Sequence, residues 1–126
     1  MADTREALIG VTDSIELELR RLTLWGEVIP EATALASPEP FCYDTLDFPT
    51  WMQWIFLPRM REAFNAERDM PERSNIFAYA EEALRQTDVD TDQLLFLIKT
   101  FDELVAAGSN ALLPAIHQSS SKKLLS

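Results

Sequence analysis

Leu8, Val11, Ile15, Leu19 and Leu22 follow one another at intervals of three or four residues. At 3.6 residues per turn, that spacing lines one face of a helix. The pattern returns in Met52, Phe56, Met60 and Phe64, then in Ile76, Ala80, Ala83 and Leu84. It returns once more in Leu94, Leu97, Ile98, Phe101, Leu104 and Val105. No stretch shows the clear apolar–polar alternation of a half-buried strand. Three glycines in 126 residues also leave few places for the tight turns of a β architecture. Each stripe must be buried against another element, so the expected fold is all-α, a four-helix bundle.

Local signals bound the helices. Asp3 or Thr4 can cap the first, and Gly26 is its expected terminator. Pro30, Pro38, Pro40 and Pro49 then exclude a regular helix, which predicts a long ordered loop between helices 1 and 2. Within it, residues 31–37 can form one or two helical turns, and the aromatic stretch PFCYDTLDF is expected to pack down. Asp47 is the predicted N-cap of helix 2, with Pro49 in its first turn. From Trp51 to Pro58 the only polar side chain is Gln53, so this helix is apolar nearly all round. Pro58 has no N–H to donate, which predicts a proline kink in or after helix 2. Ser74 or Asn75 should cap helix 3. Asp90 and Gln93 resemble a capping box at helix 4, and Gly108 is its expected C′ residue. The chain therefore divides into a helical domain, 1–108, and a flexible C-terminal tail, 109–126.

The residues that carry chemistry are few. A single histidine, His117, and a single cysteine, Cys42, cannot build a Cys/His zinc site or a di-iron bundle with its paired Glu-x-x-His motifs. Cys42 reads as a small buried thiol. Asp88, Asp90 and Asp92 begin like a calcium loop, but Gln93 stands where that loop needs glycine and Lys99 where it needs glutamate. They are expected to cap a helix instead. Asp44 and Asp47 could serve acid–base chemistry only if burial split their pKa values. No metal, no cofactor and no catalytic residue is expected.

The net charge is −10, and every acid lies within residues 1–108, while the tail holds Lys122 and Lys123. Such a body repels phosphate and suits a basic protein partner. Arg59, Arg61, Arg68 and Arg73 form the densest basic region, but acids are interleaved among them, Arg68 with Glu72 for example. No apolar run approaches the ~20 residues of a membrane span, and the start of the chain is polar, so a cytoplasmic location is expected.

The stretch PFCYDTLDFPTWMQWIFLPRM, 40–60, resembles the signature of the YqcC-like family: a Pro-Phe, an Asp-Thr, a Trp-x-x-Trp and a Leu-Pro-Arg-Met. YAEEAL, 79–84, resembles the next motif, and the likeness covers about residues 5–108. The resemblance implies a small cytoplasmic bacterial helical-bundle protein with no established catalytic activity. It also implies a gene often beside that of tRNA pseudouridine synthase C. The expected function is thus a non-enzymatic accessory or interaction protein, partner of a tRNA pseudouridine synthase, reaching nucleic acid only through that partner. Homo-oligomers are compatible with this. Phe41, Tyr43, Trp51, Trp54, Arg59 and Arg61 are the candidate interaction surface, since tryptophan and arginine dominate binding hot spots. The rival readings are a direct RNA-binding module using these aromatics with the Lys122-Lys123 tail, and a small carboxylate-dependent enzyme using Asp44 and Asp47.

Overall fold

The computed structural model describes the backbone of residues 4–66 and 73–124, and the side chains of these residues up to 108. The Arg68–Glu72 pair, His117, Lys122 and Lys123 lie outside the described side chains, as does the expectation of a mobile tail. Among the described residues all regular structure is helical. Helix α1 is Thr4–Arg21, and a short helix α2 is Ala32–Leu35. A 3₁₀ turn, Pro40–Cys42, precedes a continuous helical stretch over 48–65, here α3. Helices α4, Ile76–Ala83, and α5, Asp92–Leu124, complete the chain.

The predicted stripe of α1 is buried as expected: Leu8, Val11, Ile15, Leu19 and Leu22 all face the core. The helix does not wait for Gly26 to end. Thr23 takes a left-handed backbone (φ 63°), Leu24 N–H donates to the Leu19 carbonyl, and Thr23 N–H donates to the Arg20 carbonyl. That is a Schellman stop with threonine where glycine is usual. The stop suits Leu24, which packs against the core immediately after it. Gly26 has another task, described below.

Helix α3 answers the Pro58 problem without breaking in two. An α-helical turn, Phe48–Trp51, leads into a π-helical turn, Met52–Phe56, and then into an α-helix, Leu57–Asn65. Leu57 N–H reaches back five residues to the Met52 carbonyl, so one extra residue is accommodated just before the proline. The wider turn explains why the apolar circumference is so large: Phe48, Met52, Ile55, Phe56 and Leu57 are all buried. Asp47 caps the start as predicted, accepting from Thr50 N–H at 3.0 Å.

Helix α5 runs through Gly108 instead of stopping there. Glycine ends a helix by adopting positive φ, and no glycine here does so. Its helical cost, about 1 kcal/mol relative to alanine, is too small to stop a helix alone. Gly108 serves close approach, because a Cβ there would lie 2.9 Å from Cγ2 of Thr4. The start of α1 thus crosses α5 at residue 108, while Glu18 near its end feels the charge of Asp90. The two helices are antiparallel.

The other ends are tied by tertiary contacts. Arg5 donates to the Phe64 carbonyl in the last turn of α3. Asp102 of α5 accepts from Ile76 N–H (3.2 Å), Phe77 N–H (2.8 Å) and the Ser74 hydroxyl (2.5 Å). The predicted cap from Ser74 or Asn75 is therefore replaced by a carboxylate from another helix. At α5, Asp90 accepts from Asp92 N–H at 2.9 Å. The core closes on Phe56 of α3 against Phe101 of α5, edge to face at 5.0 Å.

Candidate functional site

The apolar stretch of α3 lies under the loop that precedes it. Cys42 and Leu46 from the loop, with Ile55 of α3, form a second small core, and Ala34, Leu35 and Trp51 pack against it. Phe41 and Cys42 both hold left-handed backbones (φ 58° and 49°), a costly conformation for side-chain-bearing residues. Packing holds them there. Phe41 stacks on Tyr79 of α4 at 4.3 Å and meets Trp51 edge-on at 4.9 Å. The Thr45 hydroxyl donates to the Ala34 carbonyl at 2.7 Å, and the Ser37 hydroxyl to Asp44 at 2.6 Å. The expected packing-down of this aromatic loop is what the structure shows.

Gln53 is the polar residue of the apolar stretch, and it is buried at 6% exposure. Its amide donates to the Gly26 carbonyl (2.7 Å) and accepts from Gly26 N–H (2.8 Å). A side-chain amide thereby pairs with a backbone unit as two peptides would. The clamp pins the chain after α1 to the π turn of α3.

The six candidate surface residues separate into groups. Phe41 and Trp51 are half-buried and belong to the aromatic stack with Phe48, Phe56 and Tyr79. Tyr43 is exposed beside that stack; burial first, then the neighbouring Tyr43, push the Tyr79 phenol above its ordinary value. Arg61 bridges α3 to α1, donating to Glu16 at 2.7 Å and Asp13 at 3.0 Å. Burial alone would raise the Glu16 carboxyl, but hydrogen bonds from Arg20 and Arg61 outweigh it and hold Glu16 below its ordinary value. Arg61 is thus engaged within the fold.

Trp54 and Arg59 have a different setting, beside Leu35 and Ile55. They line an open groove of about 460 Å³ with Leu35, Ile55, Pro58 and Glu62. Trp54 is half-buried; Pro58 and Arg59 are exposed. Neither Trp51 nor Trp54 is fully covered by its own chain. Sequence reasoning missed Leu35, and it missed Val28 and Ile29, which are 83% and 64% exposed. A Val-Ile pair among prolines was a signal available in the sequence.

The proposed carboxylate pair is not assembled into a reaction centre. Asp44 and Asp47 are both exposed, one receiving the Ser37 hydroxyl and the other capping α3. Among the described residues no group of three or more His, Cys, Asp or Glu could hold a metal ion. None of the described helices is long and apolar enough to cross a membrane.

Comparison with known proteins adds a lineage. A family described as "tRNA pseudouridine synthase C" matches residues 8–104. An uncharacterized protein of Haemophilus influenzae is 33% identical over 92 residues, 73% of this chain and 86% of that one. The uncharacterized protein YqcC of Escherichia coli is 27% identical over 93 residues, 74% of this chain and 85% of that one. The solution NMR structure of E. coli YqcC matches with a TM-score of 0.71, covering 83% of this chain and 90% of that chain. A further 44% identity, over 57 residues, is with tRNA pseudouridine synthase C of Pectobacterium carotovorum. That segment is 45% of this chain and only 15% of the synthase.

Proposed function

The chain belongs to the YqcC-like family, and from that premise we propose that it is a non-enzymatic accessory protein that binds a tRNA pseudouridine synthase. What carries the reading is the open groove around Trp54, where Leu35, Ile55 and Pro58 lie beside Arg59 and Glu62. A half-buried tryptophan beside an arginine is the composition of a binding hot spot. The synthase is favoured as partner because a sequence carrying that name contains a segment similar to this chain within a much longer protein. Such a segment joined to the rest of a protein in one bacterium is consistent with a separate partner in another. The acidic body favours the basic surface of an RNA-binding enzyme over RNA itself.

The test is isothermal titration of the purified chain with purified tRNA pseudouridine synthase C from the same bacterium, and separately with tRNA. A saturable complex with the synthase, and none with tRNA alone at low salt, is the expected result. Saturable tRNA binding that falls steeply with salt would favour the RNA-binding module instead. No interaction with the synthase would overturn the assignment.

A further inference from the structure

Residues 31–46 hold themselves together. The Thr45 hydroxyl donates to the Ala34 carbonyl, the Ser37 hydroxyl to Asp44, and Glu39 N–H to the Ser37 hydroxyl at 3.1 Å. Backbone bonds tie Leu35 to Glu31, Cys42 to Glu39, Tyr43 to Pro40, and both Thr45 and Leu46 to Cys42. Among the described residues, every hydrogen bond made by 31–46 has both partners inside that segment. Apolar contacts join it to the helices. Phe41 meets Trp51 of α3 and Tyr79 of α4, and Cys42, Leu46 and Leu35 gather around Ile55 and Trp51. Positive φ at Phe41 and Cys42 is held by that packing and weighs against it. On the upstream side Glu27, Val28 and Ile29 are exposed, and among the described residues no hydrogen bond reaches 27–30. On the downstream side Asp47 is fixed as the cap of α3.

We propose that residues 31–46 are a strap that lifts from α3 and α4 as one unit, hinged at 27–30 and at Asp47, while the helical body stays folded. Lifting breaks ring and aliphatic contacts but none of the strap's hydrogen bonds, so it costs less than unfolding the chain. It bares Trp51, Ile55 and Tyr79. It also takes away one wall of the Trp54 groove, because Leu35 lines that groove. The groove is complete only with the strap closed, and whatever binds there against Leu35 holds the strap shut. This device goes beyond the accessory reading and does not depend on it.

Cys42 is the chain's one cysteine and is 5% exposed, so its thiol reports the strap. The full chain is labelled with dithiobis-nitrobenzoate at fixed pH, in urea below the unfolding transition. Circular dichroism gives the globally unfolded fraction, and the same reaction in high urea gives the rate of the free thiol. The expected labelling is at least about tenfold faster than the unfolded fraction allows, and nearly flat in low urea because little surface is exposed. Phe41→Ala and Tyr79→Leu loosen the contact from its two sides, and each should speed labelling about tenfold. Thr45→Val removes a bond made in both positions of the strap and should leave the rate within about twofold. Circular dichroism confirms that each variant is folded, and should one fail, the wild-type comparison and the other variants still decide. Labelling that tracks the unfolded fraction and its urea dependence overturns the proposal, because nothing opens locally. Labelling at the free-thiol rate overturns it as well, because the strap is then never closed. Indifference to both Phe41→Ala and Tyr79→Leu, or equal acceleration by Thr45→Val and Phe41→Ala, removes the strap as a unit.

Discussion

Replacing Gln53 with leucine removes the clamp while nearly keeping side-chain volume. The amide makes two hydrogen bonds, 2.7 and 2.8 Å, both to Gly26. At about 1 kcal/mol net for each, their loss costs about 2 kcal/mol. Gly26 is exposed, so water can rehydrate its peptide groups in part, and the cost stays below the full penalty of a buried orphan pair. Gln53→Glu is the sharper perturbation. Ionised, its carboxylate cannot donate to the Gly26 carbonyl, and the two oxygens repel. Protonated, it can donate and accept much as glutamine does. Burial and the facing carbonyl place its folded pKa above the ~4.3 of an unfolded glutamate. A raised folded pKa means the stabilising contact is fully present below the unfolded value and is lost as pH rises through the folded one. Compared with wild type at the same pH, Gln53→Glu should therefore nearly match it in acid and fall about 3 kcal/mol behind at neutral pH. Urea unfolding followed by circular dichroism, across a pH series, measures both. A leucine variant within about 0.5 kcal/mol of wild type, or a glutamate variant whose deficit is flat with pH, would refute the clamp as a stabilising contact.

Thr23 is held at φ 63°, where a β-branched residue is strained, so Thr23→Gly should raise stability by about 1 kcal/mol in urea unfolding. Asp102→Ala removes the carboxylate that receives Ile76 N–H, Phe77 N–H and the Ser74 hydroxyl; the loss should be about 2 kcal/mol, and Asp102→Asn should recover part of it. Hydrogen exchange should show the first turn of α4 opening earlier in that variant. Hydrogen bonds from Arg20 and Arg61 outweigh burial at Glu16, and the bond from Arg21 dominates at Glu18, so both carboxyls sit below their ordinary value. Depressed carboxylates contribute stability above the unfolded pKa and lose it as pH falls through the folded one. Thermal midpoints should drop below about pH 4, and the drop should be smaller in Arg61→Met, where part of the pairing is already gone.

How much of this was legible beforehand depends on the range of the interaction. The stripe of α1, the Asp47 cap and the short helix within 31–37 are local properties, and they stand where the sequence puts them. Helical repeat and side-chain reach settle such features within one or two turns. The misplaced ends of α1 and α5 share one cause. Glycine permits a stop but does not impose one, and Leu24 packing and the approach of Thr4 decided otherwise. The candidate surface was read as a single patch because Trp51 and Trp54 are neighbours in sequence. Trp51 meets Phe41, which stacks on Tyr79 of another helix, while Trp54 lines the groove.

From the order of residues alone came an all-helical chain, an acidic body and an apolar second helix too rich for one simple stripe. Periodicity and charge are sums over neighbours, so they survive without knowledge of the fold. Only the tertiary structure decided that Asp102 caps a helix it does not belong to, that Gln53 pairs with Gly26, and that Arg61 is held by Asp13 and Glu16 while Arg59 lines a groove. Each of those choices depends on which groups arrive within hydrogen-bonding distance across tens of residues. Packing of whole helices sets that distance, and no local pattern encodes it.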